Sequence, residues 1–289
     1  MQTAMRLGGR TFAPTEFAVM AIVNRTPDSF FDRGATFAEE AALTAVERAV
    51  SAGAEIIDVG GVKAGPGADV DAAEELRRVI PTISAVRDRF PDVVISVDTW
   101  RAEVAREAVA AGADILNDTW GGADPALAEV AADTGVALVC SHAGGLTPRT
   151  RPHRIAFDDV VADVVETVTR LAERAASLGV RTDGILIDPA HDFGKNTRHS
   201  LVLTRRLDEL VATGWPVLVA LSNKDFVGET LDVPLDQRLY GTLAATAVSA
   251  WHGARVFRAH QVRETRQVLD MVASIRGDRP PTVARRGLA

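Results

Sequence analysis

The stretch Ser51-Ala52-Gly53-Ala54-Glu55-Ile56-Ile57-Asp58 returns as Ala110-Ala111-Gly112-Ala113-Asp114-Ile115-Leu116-Asn117. It returns more weakly as Trp251-His252-Gly253-Ala254-Arg255-Val256-Phe257-Arg258. Each copy reads as a helix stopped by a C-terminal glycine, a tight turn and a short apolar strand. A helix feeding a buried strand several times over is the pattern of repeated βα units. Working outward, eight apolar runs read as strands: residues 17–23, 55–59, 93–97, 114–116, 137–141, 184–187, 216–221 and 255–259. Amphipathic stretches such as 37–52 and 235–252 lie between them and read as helices. The runs are continuous rather than alternating, as expected for strands buried on both faces. Eight evenly distributed strands predict an α/β fold, a (β/α)₈ TIM barrel, over a doubly wound sheet. Nothing rich in Pro, Gly or Ser divides residues 17–275, which read as one domain. Residues 1–16 and 278–289 read as loosely ordered tails.

Composition narrows the function classes. The 289 residues are 47% hydrophobic, enough for one sizeable core. A net charge of −7 argues against a nucleic-acid partner, which needs a concentrated basic surface. Arg149, Arg151 and Arg154 cluster, but within a loop. No apolar run approaches the roughly 20 residues of a membrane span, and residues 1–16 lack the apolar core of a signal peptide. The one cysteine, Cys140, sits in an apolar run and reads as a buried structural thiol. It cannot form an internal disulfide, which fits a reducing cytoplasm.

Polar residues follow the apolar runs with regularity: Asn24, Asp58, Asp98, Asn117 with Asp118, His142, Asp188, Ser222 with Lys224, and Arg258 with His260. In a barrel these positions converge on the C-terminal face, where sites of this fold are built. A single acid there is unremarkable, since Asp often caps the next helix; a set of eight positions is not. Asp98, Asn117 and Asp188 offer acceptors and an amide, suited to the donor-rich edge of a heterocycle. Lys224, Arg258 and His260 offer positive charge and donors, suited to phosphate. Asn24 offers a neutral oxygen for a Mg²⁺ whose other ligands are water and phosphate. The set reads as a site for a heterocycle and a diphosphate. It contains no Cys/His metal cluster and no P-loop or Rossmann glycine motif.

These residues carry a family resemblance. Met20-Ala21-Ile22-Val23-Asn24-Arg25-Thr26-Pro27-Asp28-Ser29-Phe30 resembles the first signature of dihydropteroate synthases. Ser96-Val97-Asp98-Thr99, Ile115-Leu116-Asn117-Asp118, Ile187-Asp188-Pro189 with Phe193-Gly194-Lys195, Ser222-Asn223-Lys224 and Phe257-Arg258-Ala259-His260 resemble its later motifs. The resemblance implies a folate-biosynthesis transferase that joins a dihydropterin carrying a CH₂-diphosphate to p-aminobenzoate, releasing diphosphate. It implies that Asp98, Asn117, Asp188 and Lys224 hold the pterin, that Arg258 and His260 hold the diphosphate, and that Asn24 helps bind Mg²⁺. Lys224, Arg258 and His260 become the catalytic set, with leaving-group charge stabilised by Arg258, His260 and the metal. Members of the family commonly dimerise through late helices, so residues 239–250 suggest a homodimer. Phe30 and Phe193 are candidate pocket aromatics, and Asp28 a candidate neighbour of Asn24. Lys195 is left between pocket rim and solvent, and His142 reads as a loop cap.

The departures from the family pattern gather in the acceptor subsite. The second loop reads Gly60-Gly61-Val62-Lys63-Ala64-Gly65-Pro66-Gly67, with Ala64 and Gly65 where the family has Thr and Arg. Asp225 stands where the family has a serine that helps hold the p-aminobenzoate carboxylate, and His191-Asp192 adds another acid. Lys63 compensates in part if it points inward. Two like charges about 4 Å apart repel by roughly 4 kcal/mol at a surface site. The pattern therefore predicts a retained pterin pocket with weak or absent dihydropteroate synthesis, and resembles the divergent second synthase copy of mycobacteria and related actinobacteria. The alternatives are a non-catalytic pterin- or phosphate-binding protein and a methyltetrahydrofolate-binding relative.

Overall fold

An N-terminal hairpin, β1 (Met5–Leu7) and β2 (Arg10–Phe12), precedes eight parallel strands. These are β3 (Ala18–Asn24), β4 (Ile56–Gly60), β5 (Val94–Asp98), β6 (Ile115–Asp118), β7 (Ala137–Ser141), β8 (Ile185–Asp188), β9 (Leu218–Val219) and β10 (Val256–Ala259). The computed structural model describes residues 3–27, 34–145, 147–150 and 156–287. The strands lie in the order β8-β7-β6-β5-β4-β3-β10-β9. A parallel bridge between Ile187 and Val217 joins the two ends, so the sheet closes into the expected (β/α)₈ barrel. The strand over 216–221 shortens to two residues. Pro216 has no N–H to donate, and Leu221 already turns its carbonyl to Lys224 N at 3.3 Å.

The helices fill the outer ring: α1 (Glu39–Ser51), α2 (Ala72–Arg89), α3 (Ala102–Ala110), α4 (Ala126–Thr134), α5 (Val160–Leu178), α6 (Thr197–Arg205), α7 (Leu207–Val211), α8 (Asp225–Leu231), α9 (Leu239–His252) and α10 (Val262–Arg276). The repeated glycine does what the recurring stretch requires. Gly53, Gly112 and Gly253 take φ of 98°, 113° and 105°, the left-handed turn that swings each helix into the next strand.

Strand alternation sorts the residues into two environments. Leu116, Leu138, Cys140, Ile185 and Ile187 face the helices and join the larger core. Their neighbours Met20, Ile56, Val94, Ile115, Val139, Leu186, Leu218 and Val256 fill the lower barrel interior. One step further along the same inward phase stand Asp58, Ser96, Asn117, Ser141, Asp188 and Arg258. The barrel is thus apolar below and polar at its C-terminal mouth.

The N-terminal residues depart from the expectation of a loose tail. Met5, Leu7 and Phe12 are buried in the lower interior cluster and plug the barrel's N-terminal end. Arg255, itself buried, secures the plug by donating to Glu16 O at 2.9 Å and Thr3 O at 3.3 Å. The alternation Met5-Arg6-Leu7 before Gly8-Gly9 carries this signal in the sequence. Residues 278–287 are irregular, and Asp278 pairs with Arg276 at 2.9 Å. No helix among the described residues is long and apolar enough to cross a membrane.

Candidate functional site

Backbone register sets the first row of the mouth. Asn24 pairs with Gly60, Gly60 with Asp98, and Asp98 with Asn117, across β3, β4, β5 and β6. Gly60 leaves the row open: a Cβ there would lie 3.8 Å from Asp98 Oδ2 and 3.9 Å from Asn24 Oδ1. Three predicted residues therefore stand side by side, and a fourth, Arg258, reaches across from β10.

Arg258 is the hub. Its Nε donates to Asp58 Oδ2 at 2.6 Å and its Nη2 to Asp98 Oδ2 at 3.0 Å. Asp58 is buried and also accepts from Ser96 Oγ at 2.6 Å and Asn117 Nδ2 at 3.3 Å. Asp98 takes a further bond from Thr119 Oγ1 at 3.0 Å. Burial pushes Asp98 up to about 7; the Arg258 cation opposes this and the Asp58 carboxylate adds to it. Burial disfavours the Arg258 cation, but Asp58, Asp98 and Asp188 outweigh it and hold its pKa above the ordinary value. The sequence shows Asp58 only as a strand-ending acid. Its part as the anchor of Arg258 comes from a pairing 200 residues apart, which no local pattern displays.

The second half of the mouth belongs to β8 and β9. Asp188 accepts from Ala190 N at 2.7 Å, and burial raises its pKa against the pull of Lys224. Lys224 donates to His191 O and sits 4.9 Å above the Phe193 ring, which packs edge-on against Trp120. Burial lowers the Lys224 pKa, and Asp192 and Asp188 oppose that. His260 lies 2.9 Å from Ser222 Oγ through Nδ1. Ser222 Oγ donates to Gln261 Oε1 at 3.3 Å, so Nδ1 of His260 carries the hydrogen. Burial and the neighbouring Arg258 push His260 down to about 3. The imidazole is therefore neutral in this state, which corrects the positive charge assigned to it from sequence; an arriving anion would raise its basicity.

Lys195, left between rim and solvent by the sequence, and His142, read there as a loop cap, both lie inside the protein. Lys195 is buried and spans two loops, donating to His142 O at 3.0 Å, Ala190 O at 3.2 Å and Phe193 O at 2.8 Å. Burial lowers it to about 7. His142 is also buried and meets Asp163 Oδ1 at 2.6 Å through Nε2. Burial keeps it neutral, with a pKa near 4, so this contact is an N–H bond to a carboxylate rather than an ion pair. Cys140 faces the helices, and burial raises its thiol pKa.

The acceptor-side acids are placed differently from the expectation. Asp225 is 80% exposed and pairs with Arg238 Nη1 at 2.8 Å, an arginine that also holds Asn223 O at 2.9 Å. Asp192 turns toward the protein, accepting from Ser200 Oγ at 2.9 Å and from Phe226 N at 3.1 Å. Asp225 is thus balanced by Arg238, and Asp192 is held by neutral donors with the Lys224 cation acting on it, so neither stands as the bare charge that the simple repulsion argument assumes. Lys63, Ala64 and Gly65 lie in the loop after β4, with Lys63 half-buried and Ala64 exposed. A Cβ at Gly65 would meet only Lys63 Cε, at 3.9 Å. Asp28, Phe30, Arg151 and Arg154 lie outside the described residues.

The donor set bears on a metal. Among the described residues no group of three His, Cys, Asp or Glu could hold one. Asn24 supplies one neutral oxygen beside Asp98, which fits only an ion that brings most of its ligands as phosphate and water.

Comparison with known proteins agrees with this geometry. The family described as pterin binding enzyme matches residues 20–260. The inactive dihydropteroate synthase 2 of Mycobacterium leprae (strain TN) is 62% identical over 287 residues, 98% of this chain and 99% of that one. The dihydropteroate synthase of Escherichia coli (strain K12) is 40% identical over 258 residues, 88% of this chain and 90% of that one. The crystal structure of the Yersinia pestis dihydropteroate synthase in a sulfonamide drug complex superposes with a TM-score of 0.89 at 36% identity, covering 96% of this chain and all of that one.

Proposed function

Because the chain belongs to the pterin-binding enzyme family and is dihydropteroate synthase-like, we propose that its barrel mouth binds a dihydropterin diphosphate but transfers it to p-aminobenzoate weakly or not at all. The observation that carries the reading is the polar inward layer in which Asp98, Asn117, Asp188, Lys224, Arg258 and His260 come together above an apolar interior. Asn117 and the two acids take the heterocycle's donors. Lys224 lies over Phe193, where an aromatic face and a cation border one slot.

Arg258 and His260 take the diphosphate, Arg258 as a charged fork and His260 as an N–H donor that gains a proton beside the anion. Mg²⁺, when bound through the diphosphate and Asn24, supplies charge neutralisation of the leaving group. Asp98 and Asp188 support positive charge that develops on the pterin.

The acceptor side lacks that completeness. Gly65 has no side chain to meet a carboxylate, and Asp225 takes up the Arg238 guanidinium. The inactive relative in Mycobacterium leprae agrees with this sense. A cytoplasmic protein fits the one buried thiol.

We also read the chain as a homodimer. Tyr240, Val248 and Trp251 on α9 and Met271 and Ile275 on α10 leave large apolar side chains in water, Tyr240 at 83% exposure. The two helices pack against each other, and exposed apolar side chains on neighbouring helices are what an association surface offers.

Calorimetry with a dihydropterin diphosphate tests the pocket, and Asp188→Ala should weaken binding at least about tenfold, because a charged acceptor is lost. Methyltetrahydrofolate binding without pterin diphosphate binding would overturn the reading in favour of a methyl-carrier relative. A diphosphate-release assay across a panel of amines then separates a transferase with another acceptor from a binding protein.

A further inference from the structure

The inward layer at the mouth contains one side chain that the assignments above leave idle. Ser141 ends β7 and pairs in register with Asp188. Its inward phase follows from its neighbours: Ala137 and Val139 lie in the barrel interior, whereas Leu138 and Cys140 face the helices. The residue is 0% exposed, and its Oγ has no hydrogen-bond partner among the described residues. A buried, unsatisfied hydroxyl is destabilising, so it calls for an explanation.

A second orphan stands close by. Asn117 turns its amide nitrogen to Asp58, which leaves its Oδ1 buried and without a partner. Asn117 pairs with Val139, two residues before Ser141 on the same strand. The other hydroxyls of the layer are engaged: Ser96 with Asp58 and Ser222 with His260 and Gln261. Two unsatisfied polar atoms thus stand on the β6–β7 side of Asp188, one an acceptor and the other able to donate.

We propose that Ser141 is a further specificity residue of this site, donating through Oγ to an acceptor atom on the edge of the bound heterocycle. The inference rests on the reading that the mouth takes a pterin. The pterin edge alternates N–H donors with ring nitrogen and carbonyl acceptors. Asn117 Oδ1 and Asp188 serve the donors, and both lack any proton to offer an acceptor. Lys224 offers N–H groups from the β9 side of Asp188, and Ser141 adds an O–H from the β7 side.

The test is calorimetry of the full chain with 6-hydroxymethyl-7,8-dihydropterin, beside the melting temperature of ligand-free protein. Ser141→Ala should bind about five- to tenfold more weakly. Its ligand-free melting temperature should stay level or rise, because an unpaired buried hydroxyl is removed. Ser141→Cys keeps the volume with a poor donor and should weaken binding to a similar degree. Wild-type affinity in either variant, or a fall in the ligand-free melting temperature of Ser141→Ala, would overturn the inference while leaving the pterin reading intact. Absence of pterin binding by the parent protein would overturn that reading and this inference with it.

Discussion

Arg258 and Asp98 are bonded to each other, Nη2 to Oδ2 at 3.0 Å, although the first is assigned to the phosphate side of the site and the second to the pterin side. In the ligand-free mouth the guanidinium is therefore already occupied by two carboxylates, with Asp58 as its second anchor at 2.6 Å. A pterin that takes up Asp98 must loosen this pairing. Because Asp58 still holds Nε, the guanidinium can give up Asp98 without leaving the site. The same exchange turns its freed N–H groups toward an anion.

Asp58→Ala should expose this dependence. The substitution leaves Arg258 with one carboxylate and strips partners from Ser96 and Asn117. Breaking a buried charge pair from one side costs about 3–5 kcal/mol, so urea denaturation should show a loss of that order. A loss below about 1 kcal/mol would mean that the network relaxes around another partner and that Asp58 is not the anchor.

Acid sensitivity should trace in part to His142, whose pKa in the folded chain lies near 4 rather than 6.5 because of burial, Lys195 nearby adding to the effect and Asp163 opposing it. A depressed folded value means that the unfolded chain binds the proton more tightly. The contribution is then intact above about 6.5 and is lost as pH falls toward 4. At pH 4 the loss amounts to roughly 3 kcal/mol, at about 1.4 kcal/mol per tenfold in proton affinity. Asp118 and Asp98, raised by burial to about 6 and about 7, act in the opposite sense and favour the fold at low pH. His142→Gln isolates the histidine. It should be less stable than the parent at pH 7, and the gap should narrow by that amount at pH 4. A gap that stays constant across the range would remove His142 as the titrating group.

The barrel and much of its mouth are legible in the sequence because both depend on local order. An apolar run followed by a polar residue states where a strand ends, and observed strand bounds fall within one or two residues of the runs except over 216–221. Other features depend on partners far away in the chain. Arg255 meets the carbonyls of residues 3 and 16, and Arg238 neutralises Asp225 from thirteen residues on. The sequence displays Asp225 and Asp192 as bare charges, but only folding decides that one is paired and the other caps Phe226 N. The neutral state of His260 is likewise a consequence of burial beside Arg258, not of composition. Ser141 looks like strand filler in Leu138-Val139-Cys140-Ser141, and only the inward phase and the missing partner single it out.

Association through α9 and α10 predicts a concentration-dependent mass. Tyr240 and Trp251 stand eleven residues apart, three helical turns, on the exposed side of α9. Light scattering at micromolar concentration should give twice the chain mass of 30.7 kDa. Tyr240→Glu with Trp251→Glu should give the single-chain mass with an unchanged circular dichroism spectrum, since both side chains lie mostly in water in the isolated chain. A parent protein that is already monomeric would remove the dimer.

The acceptor side offers the sharpest test of the functional reading. Restoring Ala64→Thr, Gly65→Arg and Asp225→Ser together should raise turnover with p-aminobenzoate. The backbone permits the first atom of the change: a Cβ at position 65 meets only Lys63 Cε, at 3.9 Å. Removing the Asp225 carboxylate frees one bond of Arg238, which keeps its hold on Asn223 O. The three belong together because neighbouring substitutions are not additive. Pterin affinity should not move, since none of the three positions belongs to the polar inward layer. The deciding quantity is kcat/KM with p-aminobenzoate for the parent beside the triple variant. A parent value of about 10⁴ M⁻¹s⁻¹ or more, the ordinary enzyme range, would sink the proposal of weak transfer, and would mean that Lys63 or Arg238 already supplies the charge that a carboxylate acceptor needs.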